Sequence, residues 1–138
     1  MSQTVRITGL SSLISKMSKL NKNASNLKRP FEKSAKPIIS EFKSNFGKKG
    51  KVLNSPWKKR KHPKPWSMLT KTGKLKGTWK SKAKKSSLEI ENPVEYAGFQ
   101  HFGTKHIDSR KIVGTNKKIN EKILIKNLTN YILKPFRA

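Results

Sequence analysis

The residues best suited to chemistry are cations. Lys58, Lys59, Arg60 and Lys61, followed by Lys64, stand between Trp57 and Trp66 in a stretch punctuated by Gly and Pro. Ammonium and guanidinium groups attract phosphates and acidic surfaces, and an exposed indole stacks on a base. The same tryptophans have a second possible use, as apolar anchors that hold each end of a loop on a core. The sequence leaves both uses open. Only five of the 33 basic residues are arginine. Lysine lacks the bidentate fork, so the composition favours phosphate attraction over reading of base edges. Trp57, Lys58, Lys59, Arg60, Lys61, Lys64 and Trp66 are the candidate contacts to nucleic acid or an acidic partner.

Catalytic constellations are poorly represented. His62, His101 and His106 are the three histidines. His101 and His106 are five residues apart, not the four of a H-E-x-x-H zinc helix, and Asp108 is the one carboxylate near them. Seven carboxylates in all leave little for a paired acid–base or two-metal site. Without cysteine there is no thiol nucleophile, disulfide or thiolate ligand. The Gly47–Lys51 segment GKKGK lacks the strand before it, the helix after it and the G-K-[ST] ending of a phosphate loop. Gly9-Leu10-Ser11-Ser12 does not match a nucleophile elbow. No catalytic residue, metal ligand, cofactor or small-molecule substrate is expected, and the chain is not expected to be an enzyme.

The elements that must position these residues come from a chain of 138 residues with a net charge of +26. That length suits a single domain over 1–138. A chain so positive repels itself unless a polyanion or acidic partner is near, and charge alone does not choose among nucleic acid, an acidic protein surface and anionic lipid. The charge is uneven: sixteen Lys and Arg fall between Glu41 and Glu89, where no acidic residue occurs. No apolar run approaches the roughly 20 residues of a membrane span, and no signal-peptide pattern opens the chain, so no membrane partner is expected.

Alternation of Val5 and Ile7 predicts a strand or arm at 1–8. Leu10, Leu13, Ile14, Met17 and Leu20 predict a short amphipathic helix, broken at 21–25. A second helix is expected from Asn26, as N-cap, to Phe46, with Gly47 as its stop and Pro37 kinking or splitting it. Residues 47–66 read as a long basic loop. A turn at Thr72-Gly73 precedes a strand with alternating Leu88 and Ile90. A short helix over 94–102 carries Tyr96, Phe99 and Phe102. A short strand is possible within 105–113, and the clearest helix runs from Lys117 to Leu133, ended by Pro135. The expected fold is α+β: a small antiparallel sheet packed against three or four helices, with a long basic loop.

From about residue 55 the order of motifs is SPWKKRK, MLTKTGKLKGTWK, a strand, NPVEYAGFQHFGT, HIDSRKIVG and a last helix. This resembles the tail-completion and virion-morphogenesis proteins of tailed phages. The matching positions are Trp57, Leu69, Thr72, Gly73, Leu75, Tyr96, Ala97, Phe102, Gly103 and Arg110. Lys111-Ile112-Val113 departs from the apolar or Pro-Phe continuation common after that arginine. The resemblance implies a structural virion protein that forms a homo-oligomeric ring at the head–tail junction, or neck. It would join connector to tail tube, be made in the host cytoplasm and end in the virion. Implied partners are other virion proteins and packaged DNA, the basic loop facing DNA or an acidic neighbour. Tyr96, Phe99, His101, Phe102, Thr104, His106 and Arg110 are the implied subunit contacts. On the packing reading, Tyr96, Phe99 and Phe102 instead bury one helix face on the sheet, and Gly103 lets Thr104–Ser109 project. The alternative to the virion reading is a free, sequence-indifferent nucleic-acid-binding protein.

Overall fold

The computed structural model describes residues 10–137, and the strand or arm expected at 1–8 lies outside them. Among the described residues, five helices and a two-stranded antiparallel sheet make a small α+β fold. Helix α1 spans Leu10–Ser25, so the break expected at 21–25 is absent. The polar residues there are used instead: Asn23 Nδ2 donates to Tyr131 O at 3.1 Å near the other end of the chain.

Helix α2, Lys28–Gly47, is the central element. Asn26 sits one position before the N-cap, yet its side chain still accepts the Lys28 N–H at 3.2 Å. The helix runs through Pro37 as one element. A mid-helix proline costs about 3 kcal/mol. Burial of Phe31, Ala35, Ile38, Phe42 and Phe46 along one face outweighs it, at roughly 1.5–3 kcal/mol for each large side chain. Gly47 is not the device that stops the helix. The chain reverses at Lys49 and Gly50, both with positive φ, and enters a single 3-10 turn at Lys51–Leu53.

Gly73, at φ +73°, starts the four-residue helix α3, Lys74–Gly77, which drives Leu75 into the core. Trp79 follows and packs on Phe42 with ring centroids 5.3 Å apart. Strands β1, Lys80–Ala83, and β2, Leu88–Glu91, pair with Lys80 opposite Glu91 and Lys82 opposite Glu89. One face therefore carries opposite-charge pairs, and the other turns Leu88 and Ile90 toward α2. Helix α4 spans Ala97–Phe102. No strand forms within 105–113. The C-terminal helix starts with wide π-type turns over Lys118–Ile125, continues as α5, Lys126–Ile132, and ends in a 3-10 turn holding Pro135.

Two apolar clusters form the core. Ile38, Phe42, Leu53, Ile119 and Ile123 join α2 to the C-terminal helix. Phe46, Trp57, Met68, Leu75, Val94, Ala97 and Ile112 form the other, beneath the basic loop.

Candidate functional site

The basic segment 47–66 is anchored rather than free. Gly50 N–H donates to Asn45 O, and Trp57 N–H donates to Lys49 O at 2.7 Å. The fully buried Asn45 side chain ties three strands of chain together: its Nδ2 donates to Lys111 O and its Oδ1 accepts from Leu53 N–H. Trp57 is 7% exposed, meets Phe46 edge-on, and donates its indole N–H to Lys111 O at 2.9 Å. It is a core anchor and cannot stack on a base. Arg110 is buried as well. Its Nε and one terminal nitrogen donate to Lys58 O at 3.2 and 3.0 Å, so it clamps the loop rather than meeting another subunit.

The other cations remain on the surface. Lys58, Lys59, Lys61 and Lys64 are exposed, and Lys58 lies 3.7 Å from Asp108. Arg60 is half-buried and donates to Trp66 O at 2.7 Å. Trp66 is half-buried, with the ammonium groups of Lys71 and Lys64 at 4.8 and 6.0 Å from its ring centroid. The two tryptophans that look equivalent in sequence therefore have opposite roles.

Under the loop lies a hollow of about 360 Å³, walled by Arg60, Lys61, Lys64 and Ile107. A second, of about 310 Å³, lies against Trp66, Lys71 and Tyr96. Leu69 and Gln100 line both. Leu69 has φ +61°, and Gln100 Oε1 is buried without a hydrogen-bond partner among the described residues. Gln100 carries no sequence signal and Lys71 only that of the acid-free stretch; folding brings them to this groove.

The helix expected over 94–102 forms only over Ala97–Phe102, and the segment faces the other way. Val94 and Ala97 are buried, whereas Tyr96, Phe99 and Phe102 are 40%, 58% and 80% exposed. The three aromatics do not bury a helix face on the sheet. Gly103, at φ +75°, does reverse the chain, since a Cβ there would sit 2.8 Å from Ile107 O and from Ser109 N. The following loop folds back instead of projecting. Thr104 N–H donates to Ile107 O, and Thr104 Oγ1 accepts from the N–H groups of His106 and Ile107. The Thr104 hydroxyl is thus used within its own loop, while the His106 ring remains exposed.

His101 is half-buried, and its Nδ1 accepts the Ile112 N–H at 3.1 Å, so it is a structural acceptor rather than a free contact. Desolvation of the ring, and then the Lys111 charge, hold its pKa below the ordinary imidazole value of 6.5. The folded chain therefore resists a proton that the unfolded chain accepts. The resulting stabilisation is complete above pH 6.5 and is lost as pH falls through the folded value. Thermal stability is expected to decline as pH falls below the ordinary imidazole value of 6.5, and His101→Asn, which keeps an acceptor without titrating, to flatten that decline. Parallel pH profiles for the two proteins would contradict this role.

Among the described residues no cluster of three or more His, Asp or Glu is placed to hold a metal ion. No described helix is long and apolar enough to cross a membrane. A scan against protein-family models gives no match, and comparisons with curated proteins and with solved structures give none either.

Proposed function

We propose that this chain is an assembly protein of a tailed-phage virion, a ring component at the head–tail junction that joins connector to tail. The observation that carries the reading is the aromatic face of α4. Phe99 and Phe102 stand in solvent on a helix whose small residues already satisfy the core. Large exposed aromatics on a highly charged surface are typical of interfaces awaiting a partner. A ring requires two different patches on each copy. The terminal helices offer a second set of exposed apolar side chains, Ile14 and Met17 on α1 and Ile125 near the C-terminus. The motif residues of the resemblance also hold coherent positions: Gly73 and Gly103 at positive φ, and Leu75 buried. In this reading the exposed lysines face packaged DNA or an acidic neighbour, and their charge holds no sequence register.

The double substitution Phe99→Ser with Phe102→Ser is expected to weaken self-association by roughly 30-fold or more, because buried aromatic anchors dominate interfaces. Monomer stability should change little, as is usual for exposed positions. Light scattering on a sizing column at about 0.1 mM protein reads the mass of both proteins. A wild-type chain that stays monomeric there, beside genes unrelated to portal or tail tube, would sink the virion reading. The exposed lysines favour one second reading, a free nucleic-acid-binding protein. It expects tight, strongly salt-dependent DNA binding by the monomer and no ring.

A further inference from the structure

Among the described residues, strand β2 is paired on one side only, with β1. Lys84 N–H donates to Ser87 O at 2.8 Å, so residues 84 and 87 form a hydrogen-bonded pair of the antiparallel ladder. Such pairs alternate along a ladder, which assigns the remaining bonds to β1 to Glu89 and Glu91. Leu88 and Ile90 therefore aim their N–H and C=O groups at the open edge. No hydrogen bond among the described residues reaches those groups. A bare edge of this kind is a template for another strand.

One face beside that edge is apolar. Leu88 and Ile90 are half-buried and border a hollow of about 350 Å³, together with Phe42 of α2, Ile119 and Leu124 of the C-terminal helix, and Val113. A further hollow of about 180 Å³ shares Ile90 and Val113 and continues to Asn92. The other face of β2 is acidic. Glu89 and Glu91 are exposed, and Glu91 has no ion pair among the described residues.

The edge thus suits a strand with aliphatic residues on one face and a cation on the other. The chain carries such a run outside the described residues. In Gln3–Thr8, Val5 and Ile7 share one side of an extended chain, and Arg6, the only charge, falls between them on the other. On β2, Val5 and Ile7 would cover Leu88 and Ile90, and Arg6 would stand beside Glu89 or Glu91. A slip of one residue would undo both matches at once.

Gly9 alone joins this run to α1. Residues 14–19 of α1 are all exposed, and the helix packs mainly on the C-terminal helix and its 3-10 turn. Its 16 residues hold Leu10 about 24 Å from Ser25. Such a helix carries the run off its own core and toward a neighbour. We propose that residues 3–8 of one copy add a third strand to the open edge of β2 in the next copy. The arm and the edge are different patches, so the contact is head-to-tail, as a ring requires. The proposal rests on the ring reading for its second copy and makes the join a strand addition.

Cross-linking tests it in a chain that has no cysteine of its own. Two full-length double variants, Arg6→Cys with Glu89→Cys and Arg6→Cys with Glu91→Cys, cover the two registers. Directly opposed strand residues are close enough for a disulfide. With oxidised glutathione at about 0.1 mM protein, one of the two is expected to give a ladder of linked copies on a non-reducing gel. Its yield should be about tenfold above Arg6→Cys with Lys59→Cys, the collision control on the basic loop. Adding Ile7→Asp should abolish the ladder. Amide exchange on the cysteine-free chain is the second readout. Leu88 and Ile90 are expected to be protected in the wild type and to exchange about tenfold faster in Val5→Asp with Ile7→Asp. A disulfide within one chain, a ladder no stronger than the control's, or equal exchange in both proteins overturns the proposal. The mass of the wild type keeps this apart from the ring reading. Rings whose Leu88 and Ile90 amides exchange freely overturn the arm and leave the ring. Arm-linked copies that close no ring keep the arm and overturn the ring.

Discussion

Trp57→Ala is expected to cost about 3–5 kcal/mol, the range for deleting a large buried aromatic. Three observations place it there. The ring is 7% exposed, it packs edge-on against Phe46, and its N–H satisfies Lys111 O. Small domains are stable by only about 5–15 kcal/mol, so this one change removes a large share. The melting temperature should fall by roughly 10–20 °C for a chain of this size. Trp57→Phe separates packing from hydrogen bonding. It keeps an aromatic against Phe46 and loses the indole donor, while Asn45 Nδ2 still serves Lys111 O at 3.1 Å. The expected cost is about 1–2 kcal/mol. Urea denaturation measures both, and Trp66→Ala is the contrast because its ring is only half-buried. Near-equal losses at Trp57 and Trp66 would mean that the division of labour between them is wrong.

Gly50→Ala is the second large effect, at about 2–5 kcal/mol. A left-handed backbone costs a non-glycine residue about 1–2 kcal/mol, and Gly50 has φ +87°. Overpacking adds about 1–3 kcal/mol. A Cβ at Gly50 would overlap Ser55 O and lie 2.5 Å from Trp57 Cδ1. Neither obstacle can give way cheaply. Ser55 O is main chain, and the Trp57 ring is fixed by its own hydrogen bond. Gly73 provides the internal control. It too has positive φ, at +73°, but a Cβ there meets nothing within 4 Å. Gly73→Ala should therefore cost only the backbone term, about 1–2 kcal/mol. Chemical denaturation of the pair separates strain from collision. Equal losses at the two positions would show that Gly50 is needed for its φ alone.

Both effects act on the same joint, the seam where α2 ends and segment 49–57 turns back onto Lys111. This joint carries the exposed lysines. A chain of net charge +26 cannot hold a lysine-rich segment in place by charge, because its neighbours repel it. The segment is held by Trp57, Asn45 and Arg110 through main-chain carbonyls. Lys59, Lys61 and Lys64 are thereby left exposed, where an anion can meet them.

Much of the scaffold is legible along the chain. Apolar spacing gives α2 and the C-terminal helix, because a one-faced helix must repeat its buried residues every three to four positions. Alternation gives β2, but not β1. The sequence Lys80-Ser81-Lys82-Ala83 has no apolar alternation, and it is a strand only by its pairing with β2, where Lys80 and Lys82 stand opposite Glu91 and Glu89. Pro37 by the local rule kinks or splits the helix, and α2 is not split, because its buried face outweighs the lost bond.

The sequence by itself determined the α+β class, the acid-free cationic stretch, and the scarcity of residues for catalysis, since these follow from composition and short-range periodicity. Only the tertiary structure decided which aromatics are buried. The segment 94–102, which ends in α4, is apolar on two sides, with Val94 and Ala97 on one and Tyr96, Phe99 and Phe102 on the other. Periodicity marks both sides equally. The choice fell to the smaller residues because they fit against Ile112 and Leu75 in a core already filled by Phe46 and Trp57. Arg110 was equally hidden, because its meaning depends on an atom far away in sequence. That atom is the carbonyl of Lys58, 52 residues away.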